Sequence, residues 1–448
     1  MNQSPSDELL GPPQPRGGRR RWPIVVVAVL VLGGATALTG TVTGVFRPTK
    51  LIALDPSSGA QLWSTRLPVS SIGTPTVVDG LAYVFGGSQM SSDVGTIFAV
   101  DVGTGRRVWQ AAVEEPLCGG AVGIPPDVAG GVAVVGGPRG AIRGLDARTG
   151  KELWRVRGTT GPVAGGTDYL VVGGAAGTSD VRALDRRTGR ARWTRTFRPD
   201  ELGPGLGEPD HMAAPIGTAT DAMAFVDLGP GRILPPGVVG IVALDSTTGR
   251  ERWRTELGYK GAGDLWNARL ADPSTIVALR GPPTEPSFAG ASKTGEPTVV
   301  GGHYAIEAFD VATGVRRWTH RAKDNRDPDG AYAAITRVWA GPGAAYYFPD
   351  GKTLVAADAL TGAVRWKAHG LRKDHGLSWS DPAAVTANRA LVILTGSSGI
   401  TALRTRDGTQ QWKHKMRHIS EIGTTTVTDT AVLVPRSRKG DCGLGSTG

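Results

Sequence analysis

Cysteine is nearly absent from this chain: two in 448 residues, Cys118 and Cys442. In an exported protein they can pair with each other or stay two separate thiols. Catalytic signatures are missing too. There is no HExxH, no P-loop and no nucleophile elbow followed by triad partners, so none of those chemistries is indicated. A strong charge excess is missing once the N-terminus is set aside. Formal net charge is +10, but residues 1–49 hold five Arg and two acids, leaving 45 basic and 38 acidic residues, or +7. No basic groove or stacking-aromatic module accompanies that charge, so nucleic-acid binding is set aside.

Charge is also wholly missing from residues 24–46, IVVVAVLVLGGATALTGTVTGVF. At ~1.5 Å per helical residue the segment reaches ~35 Å, enough to span a bilayer. Residues 1–21 are rich in Pro, Gly and Ser and end in Arg19-Arg20-Arg21. They read as a disordered cytoplasmic tail, whose arginines keep the N-terminus inside and place the rest outside. Residues 22–46 therefore read as a transmembrane signal-anchor with a single span. The alternative is a cleaved signal peptide, with its apolar region at 24–34 and Ala35-Thr36-Ala37 as the cleavage pattern.

What fills the rest is one phrase, repeated eight times: an apolar run, Asp-x-x-Thr-Gly, three residues, then Trp. Its positions are Asp55, Gly59 and Trp63; Asp101, Gly105 and Trp109; Asp146, Gly150 and Trp154; Asp185, Gly189 and Trp193. They continue as Asp245, Gly249 and Trp253; Asp310, Gly314 and Trp318; Asp358, Gly362 and Trp366; and a degenerate last copy, Gly408 and Trp412, with Arg404 for the Asp and Asp407 for the Thr. Each phrase reads as a β-hairpin. The aliphatic run is a half-buried strand, Asp and Thr bond nearby backbone N–H groups in the turn, and Gly takes a positive φ. Two residues before each Asp sits a small side chain, Ala53, Ala99, Gly144, Ala183, Ala243, Ala308, Ala356 and, in the degenerate copy, Ala402. That leaves room for an indole to lie against the strand, so the Trp reads as glue between units. The arginines of the phrases, such as Arg186, Arg187, Arg190 and Arg192, are expected on solvated strand faces.

A second, weaker strand pair lies between phrases, as in IGTPTVVDGLAYVFGG from Ile72. Four strands per ~40–50 residues is the pattern of a propeller blade. The chain opens on a hairpin and ends on a lone strand pair, Thr424 to Pro435, so the two ends are expected to complete one blade. The expectation is an all-β, eight-bladed β-propeller of four-stranded antiparallel blades over residues 50–436, with an N-terminal transmembrane helix and a C-terminal tail at 437–448. The phrase, with entries such as Ala183-Leu184-Asp185 and Ala243-Leu244-Asp245, resembles the PQQ-like β-propeller repeat over residues 51–435. That family includes quinoprotein dehydrogenases, which bind pyrroloquinoline quinone and calcium, and non-enzymatic scaffolds such as the propeller lipoprotein of the outer-membrane β-barrel assembly machinery. The resemblance implies, for the dehydrogenases, an adjacent Cys-Cys pair and a Glu/Asn/Asp calcium set. This chain has no such pair and only four Asn. PQQ with calcium is therefore not expected.

Strand direction puts the Asp-x-x-Thr-Gly turns on one face of the disc. The joints between strands two and three, and between blades, lie on the other. The long insertions at 198–211, 227–237, 281–302 and 323–330 all fall on that second face. Insertions of this kind either bind a partner or are neutral surface loops. Two small constellations lie there, Glu208, Asp210 and His211, and Asp374, His375 and Asp381. Each is a candidate binding-face or metal-ligating group, or plain loop polarity. Trp266, Trp339 and Trp379 lie outside the phrase and either line the channel mouth or pack in the core. The reading that follows is a monomeric, extracytoplasmic propeller held at the cell membrane. It binds an envelope protein partner through the loops of blades four to seven rather than catalysing. The alternatives are a PQQ-dependent oxidoreductase and an extracellular small-molecule or glycan sensor.

Overall fold

The computed structural model describes residues 49–437 outside a set of connecting segments: 70, 88–94, 114–124, 137–140, 159, 174–179, 198–213, 228–237, 260–267, 281–286, 292–296, 301–304, 322–337, 342, 350–352, 370, 372–382, 387–389, 397–398, 417–420 and 423–424. All of these described residues belong to one compact unit, Phe46–Gly448. The expected transmembrane segment and the tail beyond 437 lie outside the described residues. Among the described residues no helix is long and apolar enough to cross a membrane.

The unit is an eight-bladed propeller. Numbering blades by their repeat, blade 4 shows the plan: Thr160–Gly165 innermost, then Tyr169–Gly173, Asp180–Asp185 and, outermost, Ala191–Thr196, each antiparallel to the next. Blades 2, 3, 5, 6, 7 and 8 occupy 71–113, 127–157, 214–259, 268–321, 338–368 and 383–415. Blade 1 is made from both ends of the chain. Thr49–Leu54 pairs with Gln61–Leu67 on one side and with Val432–Ser437 on the other, in the register Ala53↔Leu433. Its innermost strand is split into Glu421–Ile422 and Thr426–Val427. The ring therefore closes on a continuous sheet and leaves no open third-strand edge there.

The third strands are mostly buried at successive positions because both of their faces are covered. In Gly95–Asp101, Ile97 and Ala99 pack toward blade 3 while Phe98 and Val100 pack toward blade 1. Alternation of side chains across a strand thus feeds two neighbouring seams. Outer strands are covered on one side only, so Gln61–Leu67 and Arg107–Val113 alternate exposed and partly buried positions. Blade 6 departs from the plan. Between its second strand, Thr275–Arg280, and its third, Ala305–Asp310, a separate hairpin forms from Ser287–Ala291 and Pro297–Val300.

Candidate functional site on the turn face

The turns are built alike. In blade 5 the Asp245 Oδ1 accepts from the Thr247 and Thr248 backbone N–H groups (3.1 and 2.8 Å) and from the Thr248 hydroxyl (2.9 Å). Gly249 N–H closes the turn on the Asp245 carbonyl, at φ +70°. Asp101, Asp146, Asp185, Asp310 and Asp358 cap their turns in the same way. Ser57 and Ser58 serve Asp55 in blade 1. In blade 8 the cap moves three residues on: Asp407 Oδ1 accepts from the Thr409 N–H and hydroxyl.

Each tryptophan joins its blade to the next. In register it lies opposite the small residue of its own hairpin, from Ala53↔Trp63 to Ala402↔Trp412. In blade 3 that residue is Gly144, where an added Cβ would fall 2.1 Å from the Trp154 ring. Each indole N–H donates to the carbonyl one residue after the Asp position in the following blade. The pairs are Trp63 to Val102, Trp109 to Ala147, Trp154 to Arg186, Trp193 to Ser246, Trp253 to Val311, Trp318 to Ala359, Trp366 to Thr405 and Trp412 to Pro56. The last bond, at 2.7 Å, spans 356 residues of sequence and closes the ring. The same rings cover the next turn's glycine. A Cβ on Gly105 would meet Trp63 at 2.6 Å, and one on Gly59 would meet Trp412 at 2.6 Å. That glycine is fixed by the indole above it as well as by its positive φ.

A position absent from the consensus divides the ring. Seven residues after the Asp, blades 4 to 7 carry Arg192, Arg252, Arg317 and Arg365, each bonded to Oδ2 of its own turn Asp at 2.5–2.8 Å. Three of them also reach the turn between the first two strands, through Asp168, Ser274 or Gly343. These guanidinium bonds hold Asp185, Asp245 and Asp358 down at about 2. Asp310 is lowered by Arg317 in the same way. Blades 1 to 3 have instead Leu62, Val108 and Leu153, exposed by 49, 45 and 46%. In blade 8 the polarity is reversed: Arg404 donates to Gln411 Oε1 (2.7 Å) and to the Thr409 hydroxyl (3.4 Å).

One arginine corrects the expectation of solvated strand faces. Arg186 is 1% exposed. It sits one residue after Asp185, where Val102, Ala147, Val311 and Ala359 are apolar and buried in other blades. Its guanidinium crosses into blade 3 and bonds both oxygens of Asp127 (3.2 and 3.0 Å), with Nε donating to the Gly166 carbonyl (3.1 Å). Burial pushes the Asp127 carboxyl up, against the lowering pull of Arg186. Two further charges are buried: Arg143 in blade 3, beside Glu152, and Glu307 in blade 6, paired with Arg280 and Arg316. No repeat consensus signals these pairs: the Arg186 position is Val or Ala in four other blades, and the Glu307 position varies from Ile52 and Phe98 to Arg143 and Arg182.

Cys118, Cys442, Glu208, Asp210, His211, Asp374, His375 and Asp381 lie outside the described residues, as do Trp266 and Trp379. Trp339 is described. It packs edge-on against Phe348 (5.7 Å between centroids) and joins the blade 7–blade 8 core. Among the described residues no three His, Cys, Asp or Glu are grouped to hold a metal. The described donors do not fit a quinone–calcium site. The repeat carboxylates are committed to their turns, and Asp127 and Asp272, on inner strands, are bonded to Arg186 and Ser274. An open groove of about 840 Å³ lies on the turn face between blades 8 and 1, lined by Asp55, Ser57, Thr386, Arg404, Arg406 and Asp429 among others.

Known proteins share both the fold and the repeat. The outer membrane protein assembly factor BamB of Burkholderia pseudomallei (strain K96243) is 27% identical over 362 residues, covering 67% of this chain and 88% of that protein. The quinohemoprotein alcohol dehydrogenase of Comamonas testosteroni is also 27% identical, over 259 residues, but only 35% of its length is covered. Among solved structures, the computationally designed Ika8 protein superposes with a TM-score of 0.50 at 16% identity, over 82% of this chain and 96% of its own, which speaks for the fold alone. A family model matches residues 13–167, 177–378 and 305–442, and by that match the chain belongs to the outer membrane protein assembly factor BamB family.

Proposed function

We propose that this propeller is a non-enzymatic protein-binding scaffold of the cell envelope. In this reading the uncharged segment at 24–46 is a single-pass anchor and the ring lies outside the cytoplasm. The observation that carries it is the hairpin of blade 6. Ser287–Ala291 and Pro297–Val300 form a two-stranded sheet that joins no blade among the described residues. Such a pair, held on a rigid ring, offers a strand edge to an incoming peptide. Relatives that cover most of this chain are named assembly factors, which supports the same reading. The test is photo-crosslinking in intact cells from Phe288 and Val299, with Lys151 on the turn face as control. Crosslinks to an envelope protein from the hairpin alone are the expected result. Equal labelling from Lys151, or none from the hairpin of a folded protein, overturns the reading.

The partial match to a quinohemoprotein alcohol dehydrogenase favours a second reading, a PQQ-dependent oxidoreductase. Melting with and without PQQ plus Ca²⁺ decides it. A ligand at 100-fold its Kd stabilises the fold by about 2.7 kcal/mol, so an unmoved curve removes this reading.

A further inference from the structure

The groove at ring closure holds two charges that in blades 4 to 7 neutralise each other. In blades 4 to 7 the turn Asp and the Arg seven residues later form a bonded pair. Blade 1 keeps the acid and has no arginine. Asp55 Oδ1 takes all four turn bonds, from Ser57 and Ser58, while Leu62 stands where the clamp would be, so no basic side chain holds Oδ2 among the described residues. Blade 8 keeps a cation and has no acid at either position of the clamp, its turn acid Asp407 being bonded to Thr409 and Arg406. Arg404 replaces the Asp, Gln411 replaces the Arg, and the Arg404 guanidinium meets no carboxylate among the described residues. Asp55 and Arg404 line the same groove, and no ion pair joins them. Asp429 and Arg406 line it as well, Arg406 being paired with Asp407.

A groove with an acid and a cation left apart is complementary to a ligand that brings the opposite pair. Its size, about 840 Å³, is that of a ligand site rather than a crevice between side chains. It is open to solvent rather than enclosed, so a chain can lie in it. We infer that the turn-face groove between blades 8 and 1 binds an extended peptide segment of a partner protein, with an acidic side chain on Arg404 and a basic one on Asp55. The inference rests on the scaffold reading above and adds a second docking surface on the opposite face from the blade 6 hairpin. Charge-assisted hydrogen bonds to both residues supply the specificity.

Two repairs test it in the full-length protein. Leu62→Arg supplies blade 1 with the clamp of blades 4 to 7. Arg404→Asp with Gln411→Arg rebuilds that pair in blade 8. Both follow the pattern of the other repeats, so melting is expected to stay level or rise. The probe is a fluorescein-labelled peptide, Thr-Glu-Val-Lys-Thr, read by anisotropy. The parent is expected to bind it saturably below about 1 mM, and each repair to weaken it at least tenfold. Replacing the peptide's Glu by Gln is expected to weaken binding to the parent but to add nothing in the blade 8 repair. The inference is overturned by binding that does not saturate, by repaired proteins that bind like the parent, or by a free Lys-Glu dipeptide competing as well as the peptide. Removing the hairpin at 287–300 separates the two ideas. If crosslinks in cells vanish with the hairpin and the peptide never binds, the scaffold stands and the groove falls. If the peptide binds and no envelope protein is ever crosslinked, the groove stands and the scaffold falls.

Discussion

Blades 1 to 3 and blades 4 to 7 are joined by the same device and tied down by different ones. Every blade sends an indole to the carbonyl and glycine of its neighbour. Only the second group adds an arginine that binds its own turn aspartate, whereas the first leaves Leu62, Val108 and Leu153 in solvent. The indole contact is therefore what the ring requires, and the position before the Trp is free to vary. Freedom at that position is where two members of one architecture can come to hold different partners.

The comparison can be broken at its common part first. Trp63→Ala in the first group and Trp253→Ala in the second should each cost about 3–5 kcal/mol, with similar shifts in urea midpoint. A loss confined to one group would mean that docking is not the shared device. Next in size is the seam where the groups meet. Arg186→Leu leaves Asp127 without its partner and should cost about 3 kcal/mol, the low end for a buried pair, because the carboxylate keeps an edge in solvent. Replacing both residues by Leu should recover most of that in the same measurement.

Acid sharpens the contrast. Asp185, Asp245 and Asp358 titrate at about 2, below the unfolded value near 3.9. A lowered carboxyl contributes stability that is whole above the unfolded value and is lost as pH falls through the folded one. Melting temperature should drop between about pH 4 and pH 2, and Arg192→Leu should raise the Asp185 midpoint in carboxyl-detected NMR. An unchanged midpoint would show that the turn bonds alone set it. The smallest effect is the exchange of clamps. Arg252→Leu should lose, and Leu153→Arg should gain, less than about 1 kcal/mol, as exposed pairs do. A larger change in melting for either would mean that the clamp shapes the blade rather than decorating it.

Much of the fold was legible because its signal is periodic. An apolar run, a turn and a Trp repeated eight times give the hairpins, and the leftover strand pair at the C-terminus gives the closure that Ala53↔Leu433 displays. The tryptophan's acceptor was not legible, since a backbone carbonyl in the next blade has no side-chain identity to read. Nor was Arg186. A charged residue in a hairpin reads as solvated, and only the meeting of two blades reveals Asp127 opposite it. The groove was hidden for a related reason. Arg404 and Asp55 are 349 positions apart in sequence, and their shared wall exists only because the first and eighth repeats become neighbours. The constellations at Glu208–His211 and Asp374–Asp381 came from residue type alone, without a repeat to fix their geometry.

The shared first blade also sets a rule for biosynthesis. Within the propeller Thr49–Leu54 is made before the other described strands, and its partner Val432–Ser437 after them. Until that partner arrives, a hydrogen-bonding edge stays bare and Trp412 has no Pro56 carbonyl aligned to receive it. A chain cut short before Val432 is left with an adhesive edge, a natural handle for chaperones and proteases. Completion of the ring thereby decides when that edge disappears: only a chain extended through Val432 can cover the first strand of its propeller.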